Sequence, residues 1–242
     1  MGDAFRAFIL AGGEGSRLRP YTYTIPKPLL PLGDRPILEF IIERLKRHGV
    51  DTVFISTGYK SRYIQAFFGD GRDFGVQIRY VDECKPMGTC GPLSLVRGQV
   101  KDDEYLVLLN GDIYTELDFS GFVAHARNNR FELTVGFLQR TETSKFGVLQ
   151  LSNGRVLGVV EKPSVTVPIS SGIYVVKGSA LGHIPDDTFF TVPQLITTLI
   201  ARGVPVGAFE ITDYWMGIEY VEALNSVLKR LNSGSPSRTS GS

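Results

Sequence analysis

Apolar residues along this chain recur with two different periods. Short unbroken runs at Ala7–Ala11, Thr52–Thr57 and Tyr105–Leu109 have the length of strands buried on both faces. Between the first two, Ile37, Leu38, Ile41, Ile42 and Leu45 repeat at intervals of three and four, which predicts a helix over Ile37–His48. Ser61–Phe68 reads as a shorter helix, Gln77–Val81 as a strand and Leu93–Val100 as a helix. This strand–helix alternation predicts an α/β fold, with a doubly wound, mostly parallel Rossmann-like sheet in three α/β/α layers.

The second half is richer in strands, predicted at Thr134–Leu138, Gly147–Leu151, Val156–Val160, Gly172–Val176 and Val206–Glu210. Asn153-Gly154 is a hairpin signal between two of them. Phe190–Arg202 and Val221–Leu231 read as helices. One domain is expected over residues 1–231, with a nucleotide-binding half to about residue 118 and a second half over 119–231 sharing its sheet. Residues 232–242 are rich in serine and glycine with no apolar residue, and are expected to form a disordered tail.

Composition narrows the partners. The chain is 43% hydrophobic and 21% charged with a net charge of +1, without the basic excess that nucleic acid or a membrane surface would favour. No apolar stretch reaches membrane-spanning length, and the first residues lack the build of a signal peptide. Cys84 and Cys90 are too few for a disulfide framework or a zinc site, so a reduced, cytoplasmic setting is the expectation. The three histidines, His48, His125 and His183, are scattered and suggest no triad.

The candidate chemistry begins where the first strand stops. Leu10-Ala11 leads into Gly12, Gly13 and Gly15, then Ser16 and Arg17, and ten residues later Lys27 stands between Pro26 and Pro28. A strand opening into a glycine turn lets backbone N–H groups approach a phosphate, and Arg17 with Lys27 adds two positive charges. A third glycine is missing for a dinucleotide fingerprint, since Leu18 follows Arg17, and no lysine follows Gly15 as a Walker loop requires. Asn110-Gly111-Asp112 directly follows the strand Tyr105–Leu109, the position where ligands sit in open α/β sheets. A carboxylate there, next to phosphates, suits Mg²⁺.

The run Leu10 to Leu29 matches L-A-G-G-x-G-[ST]-R-L-x-P-x-T-x-x-x-P-K-P-L without a gap, and so resembles the sugar-1-phosphate nucleotidylyltransferases, with the nucleotide-diphospho-sugar transferase fold. The resemblance implies that Leu10, Ala11, Gly12, Gly13, Gly15 and Ser16 wrap a nucleoside triphosphate whose phosphates Arg17 and Lys27 grip. Met87–Leu93 resembles the family's L-G-T-A-G-[AP]-L, which implies that Gly88 and Thr89 lie against the base. Glu161-Lys162-Pro163 matches E-K-P, implying a sugar hydroxyl on Glu161 and the sugar phosphate on Lys162. Phe146-Gly147-Val148 and Ser170-Ser171-Gly172 fill two further sugar-side elements, with Ser170 where asparagine is usual. Arg17, Lys27, Asp112 and Lys162 are then the expected catalytic residues and Mg²⁺ the expected cofactor.

One element departs from the pattern. The family's W-x-D-I-G is here Trp215-Met216-Gly217-Ile218-Glu219, so the second metal carboxylate is missing at Gly217. Glu219 is the expected replacement beside Asp112, with Asp213 as the other candidate. The expected reaction joins an NTP, foremost GTP, and a mannose- or heptose-type sugar 1-phosphate. Thymidylyl or uridylyl transfer to glucose 1-phosphate, and a non-catalytic nucleotide-sugar sensor, remain alternatives. A homodimer is left open.

Overall fold

The computed structural model describes residues 5–234 of the 242-residue chain. Strand β1 (Arg6–Leu10) is followed by a glycine loop, several short 3-10 turns and a small hairpin of β2 (Pro31–Leu32) and β3 (Arg35–Pro36). Helix α1 (Ile37–Arg47) buries the five apolar residues whose spacing predicted it. Then come β4 (Thr52–Thr57), α2 (Ser61–Phe68), β5 (Gln77–Asp82), β6 (Tyr105–Asn110), β7 (Ile113–Thr115) and α3 (Phe119–Asn128). The remainder comprises β8 (Leu133–Thr143), β9 (Val148–Ser152), β10 (Arg155–Val160), β11 (Ser164–Lys177), α4 (Val192–Ala201), β12 (Val206–Glu210), β13 (Trp215–Gly217) and α5 (Val221–Gly234).

Seven strands form the main sheet in the order β12-β8-β11-β6-β1-β4-β5. β6, β1, β4 and β5 run parallel, as β8 and β12 do, whereas β11 is antiparallel to both its neighbours. The expected mostly parallel α/β sheet is therefore present. Its central strands β1, β4 and β6 are largely apolar because both faces are covered: Ala7 and Ile9 enter one core with α1 and α3, while Phe8 enters the other with Phe54, Leu93 and Leu195.

Several elements differ from the sequence reading. Gly91–Gln99 is a 3-10 helix, not the α-helix expected over Leu93–Val100. Its buried positions Leu93 and Val96 are three apart, the period at which side chains of a 3-10 helix align. Helix α3 was not anticipated, since Ser120, Gly121 and His125 blur its apolar stripe. It is nucleated by the Asp118 side chain, which accepts the Gly121 N–H at 3.1 Å. Helix α4 starts two residues later than expected, at a capping box made by Thr191 and Gln194. Asn232, Ser233 and Gly234 continue α5 instead of joining a disordered tail, because each extra turn residue adds a backbone bond to a helix already formed. Residues 235–242 of that expected tail lie outside the described residues.

β11 is much longer than the predicted Gly172–Val176. Its pairing with β8 slips between Ser170 and Tyr174, so the chain bulges there. Gly172 occupies the bulge with φ of 75°, and a Cβ on it would lie 2.6 Å from Asn110 Nδ2. Substitution Gly172→Ala should therefore cost about 1–3 kcal/mol of stability, read as a lowered midpoint in urea unfolding. An unchanged midpoint would show that the bulge relaxes freely.

Candidate active site

The carboxyl ends of three adjacent parallel strands are stitched together by backbone bonds. Ala11 N–H donates to Ser56 C=O at 2.9 Å, Tyr59 N–H to Gly12 C=O at 3.2 Å, and Gly111 N–H to Leu10 C=O at 2.8 Å. A Cβ on Gly12 would stand 2.9 Å from Glu83 Oε1, so the Glu83 carboxylate lies against the glycine turn. Gly13, in contrast, faces open space. Gly15 turns the chain with φ of 63°, and a Cβ there would press at 3.0 Å on both Lys27 Cβ and Thr22 Cγ2. The glycine turn and the lysine that follows it in sequence are thus in direct contact.

Lys27 opens a short 3-10 turn between its two prolines, and its Nζ donates to Asp112 Oδ2 at 2.5 Å. The two side chains keep only 14% and 28% of their exposure, so water screens this pair weakly. Arg17 makes a different pair, with Glu219, and its guanidinium lies 5.8 Å from the centre of the Tyr220 ring. Both partners of that pair are at least half exposed, as expected of a surface contact that can exchange partners.

The cleft above these strand ends has a volume of about 720 Å³. Leu10, Ala11, Gly12, Gly13, Gly15, Lys27, Gly88 and Thr89, expected at the nucleotide site, line it together with Asp112, the expected metal ligand. Ser16 and Arg17 do not number among its walls; they sit in the 3-10 turn just beyond Gly15. The Thr89 hydroxyl accepts the Val192 N–H at 3.1 Å, so its oxygen is engaged at the start of α4. Cys90 and Gly91 N–H groups both donate to Phe190 C=O at 2.9 Å, which anchors the Gly88 loop to the same helix.

The second set of candidates lies elsewhere. Gly147, Glu161, Lys162 and Ser170 are not walls of this cleft. A Cβ on Gly147 would stand 2.9 Å from Glu161 Oε2, so these two are neighbours at the base of the β9–β10 hairpin. Lys162 follows with φ of 45° and an exposed side chain. The Ser170 hydroxyl shares a 2.8 Å hydrogen bond with the Tyr174 phenol, which burial shifts toward higher pKa.

The metal candidates fit an ion only in part. Among the described residues, no group of three or more His, Cys, Asp or Glu side chains is assembled to hold one. Asp112 nevertheless offers one carboxylate at the mouth of the cleft, and Mg²⁺ bound mainly through substrate phosphates needs one or two. Ile218 N–H donates to Asp112 C=O at 2.8 Å, bringing the β13 end beside Asp112. β13 stops at Gly217, however, so Glu219 is not on a strand with it; its N–H turns back to Gly217 C=O at 3.0 Å. Glu219 therefore does not share a strand face with position 217, and its carboxylate is taken by Arg17.

Glu83 was missed. It stands just past the end of β5, where its carboxylate accepts from the Ser56 hydroxyl and from the Met87 N–H, the latter at 3.2 Å. It therefore ties the glycine turn, β4 and the Gly88 loop to one another, and it lines the cleft. Its position at a strand's carboxyl end was the available signal. Tyr59, also a wall, bonds Thr22 C=O at 3.1 Å.

A family profile described as nucleotidyl transferase matches residues 6–233. The chain belongs to that family. Among its relatives, a UTP–glucose-1-phosphate uridylyltransferase of Synechocystis is 32% identical over 93% of this chain and 64% of its own length. A mannose-1-phosphate guanylyltransferase of Mycobacterium tuberculosis is 32% identical over 86% of this chain and 59% of its own. The chain thus spans about three-fifths of the length of those two relatives. The crystal structure of HddC from Yersinia pseudotuberculosis superposes with a TM-score of 0.74 at 25% identity, covering 94% of this chain and 99% of that one. No helix among the described residues is long and apolar enough to cross a membrane.

The two cysteines of this family member separate cleanly. Burial pushes the Cys90 thiol up to about 12, while Cys84 is exposed. At neutral pH iodoacetamide should modify Cys84 alone in the folded protein and both cysteines in denaturant, as read by peptide mass. Early labelling of Cys90 would contradict its burial.

Proposed function

We propose that this chain transfers a nucleotidyl group from an NTP to a sugar 1-phosphate, giving a nucleotide-sugar and pyrophosphate. The observation that carries this reading is the convergence of the glycine turn, Lys27, Asp112 and the Gly88 loop on one cleft. In it, an oxygen of the sugar phosphate attacks the α-phosphorus while the bond to the β-phosphate oxygen breaks and pyrophosphate departs. The attacking oxygen is already anionic, so no general base is needed. Alignment of two anions and neutralisation of their charge are the chain's tasks.

Roles follow from charge and place. Gly12, Gly13 and Gly15 present the backbone to the triphosphate, with Lys27 inside the cleft and Arg17 at its rim. Binding of the triphosphate draws Lys27 and Arg17 from Asp112 and Glu219. Asp112, so released, would hold Mg²⁺ together with phosphate oxygens. That ion supplies charge neutralisation at the phosphates when bound. Glu219 joins it only if Arg17 moves to phosphate. Glu161, Lys162 and Ser170 take the sugar phosphate, Lys162 as the point charge for its dianion. A cytoplasmic setting is consistent with two unpaired cysteines.

For the base, guanine is the reading that Glu83 supports. A carboxylate accepts hydrogen bonds and cannot donate. Guanine presents two adjacent donors, N1–H and the 2-amino group, whereas uracil and thymine flank their single N–H with two carbonyl oxygens that a carboxylate repels. Mannose- or heptose-type sugar 1-phosphates are the proposed acceptors, in keeping with the guanylyltransferase named above. Uridylyl transfer to glucose 1-phosphate is the second reading, favoured by the uridylyltransferase relative of equal identity.

The test is pyrophosphate release from the full chain with Mg²⁺, each common NTP and a panel of sugar 1-phosphates. GTP with a mannose-type phosphate should be the best pairing. Arg17→Ala and Lys162→Ala should each lower turnover by about 100-fold or more with the fold retained. Glu83→Gln should shift the GTP-to-UTP ratio toward UTP. Tight nucleotide-sugar binding without pyrophosphate from any pairing would replace this reading with a sensor.

A further inference from the structure

Leu10, Tyr59 and Met87 line the cleft with side chains that are buried or half-buried, whereas Phe189 stands 58% exposed in the same wall. Among the described residues, no other aromatic ring and no cation stacks on its ring. Its neighbour Phe190 turns the other way, into the core beneath β6 and α4. A single exposed phenylalanine is ordinary on a protein surface. One held in the wall of a ligand cleft, with both faces of its ring uncommitted, is not.

The segment that carries Phe189 is fastened on both sides. Phe190 N–H donates to Met87 C=O at 2.9 Å, and Val192 N–H to the Thr89 hydroxyl at 3.1 Å. Lys85 pairs with Asp187 at 2.8 Å, and Arg97 with Asp186 at 2.8 Å. The ring lies beside the loop proposed to meet the base: a Cβ on Gly88 would stand 3.4 Å from Phe189 Cε2. Met87 also donates its N–H to Glu83 Oε2 at 3.2 Å. Met87 is thus bonded through one backbone group to the carboxylate that would read the base edge, and through the other to the residue next to Phe189.

We propose that the Phe189 ring is the stacking platform for the nucleobase and a determinant of purine preference. The inference rests on the nucleotide reading of this cleft and adds to it a contact on the face of the base. Every base has a π-face, but a bicyclic purine covers more of a phenyl ring than a pyrimidine does. The edge and the face then select in turn. The platform favours purines over pyrimidines, and Glu83 favours guanine, the purine with two adjacent donors. Because the loop is already fastened, little ordering is required when the base arrives.

Isothermal titration calorimetry of the full chain with GTP, UTP and inorganic tripolyphosphate, each with Mg²⁺ and without sugar phosphate, tests the platform. Phe189→Ala should weaken GTP binding about 10-fold or more and UTP binding by less. Tripolyphosphate, which has no base, should bind the variant as it binds the wild type. Phe189→Trp should retain GTP affinity. Unchanged GTP affinity in Phe189→Ala, an equal loss for GTP and UTP, an equal loss for tripolyphosphate, or a loss confined to titration with mannose 1-phosphate would each overturn the proposal. Nothing turns over in these mixtures, so the two readings fail separately. A chain that binds GTP through Phe189 and releases no pyrophosphate with any sugar phosphate would lose the transferase reading and keep the platform. A wild type that binds no NTP would overturn both.

Discussion

The site depends on how closely the backbones of β1, β4 and β6 approach one another at their carboxyl ends. The Gly111 N–H meets Leu10 C=O, Tyr59 N–H meets Gly12 C=O, and the Glu83 carboxylate lies against Gly12. Because that approach fixes the glycine turn, Gly15 abuts Lys27, and Lys27 is delivered to Asp112 from 85 residues away in sequence. The ion pair holds a cation and an anion ready at one point of an otherwise uncommitted cleft. A triphosphate with its metal can take both, each exchanging one charged partner for another. Preorganisation of this kind costs little at the moment of binding.

Much of this was legible in the sequence, for identifiable reasons. Buried parallel strands read as unbroken apolar runs, so β1, β4 and β6 were located to within a residue or so, and α1 by its stripe. The glycine turn and Lys27 were legible because backbone approach and charge are written in residue type. What was not legible depends on tertiary partners. The long antiparallel β11 hides its outer half in Ser, Thr and Pro residues whose pairing with β8 is what makes them a strand. Helix α3 rests on a cap and on packing more than on periodicity. Glu83 has no motif of its own, and its significance arises from Ser56 and Met87 meeting it.

Charge accounts for the division of labour between the two halves. The cleft proposed to take the triphosphate is lined by backbone, by Lys27 and Lys85, and by three carboxylates, Glu14, Glu83 and Asp112. The candidate acceptor groups, Glu161 and Lys162, stand at the base of a projecting arm. Reaction requires the two anions to be brought together against their repulsion, and so requires the arm to be held. Gly217 would leave a bound Mg²⁺ with fewer protein ligands than the motif implies, and more of its coordination would fall to the substrates themselves.

Phosphorus NMR on one mixture tests the central claim most directly. The chain, Mg²⁺, GTP and mannose 1-phosphate would be followed until the spectrum stops changing. A coupled pair of diphosphate-ester resonances should grow together with inorganic pyrophosphate, in equal amounts, as the mannose 1-phosphate signal falls. Inorganic phosphate and GDP in their place would mean attack at the γ-phosphorus, and would contradict assignment of this cleft to nucleotidyl transfer.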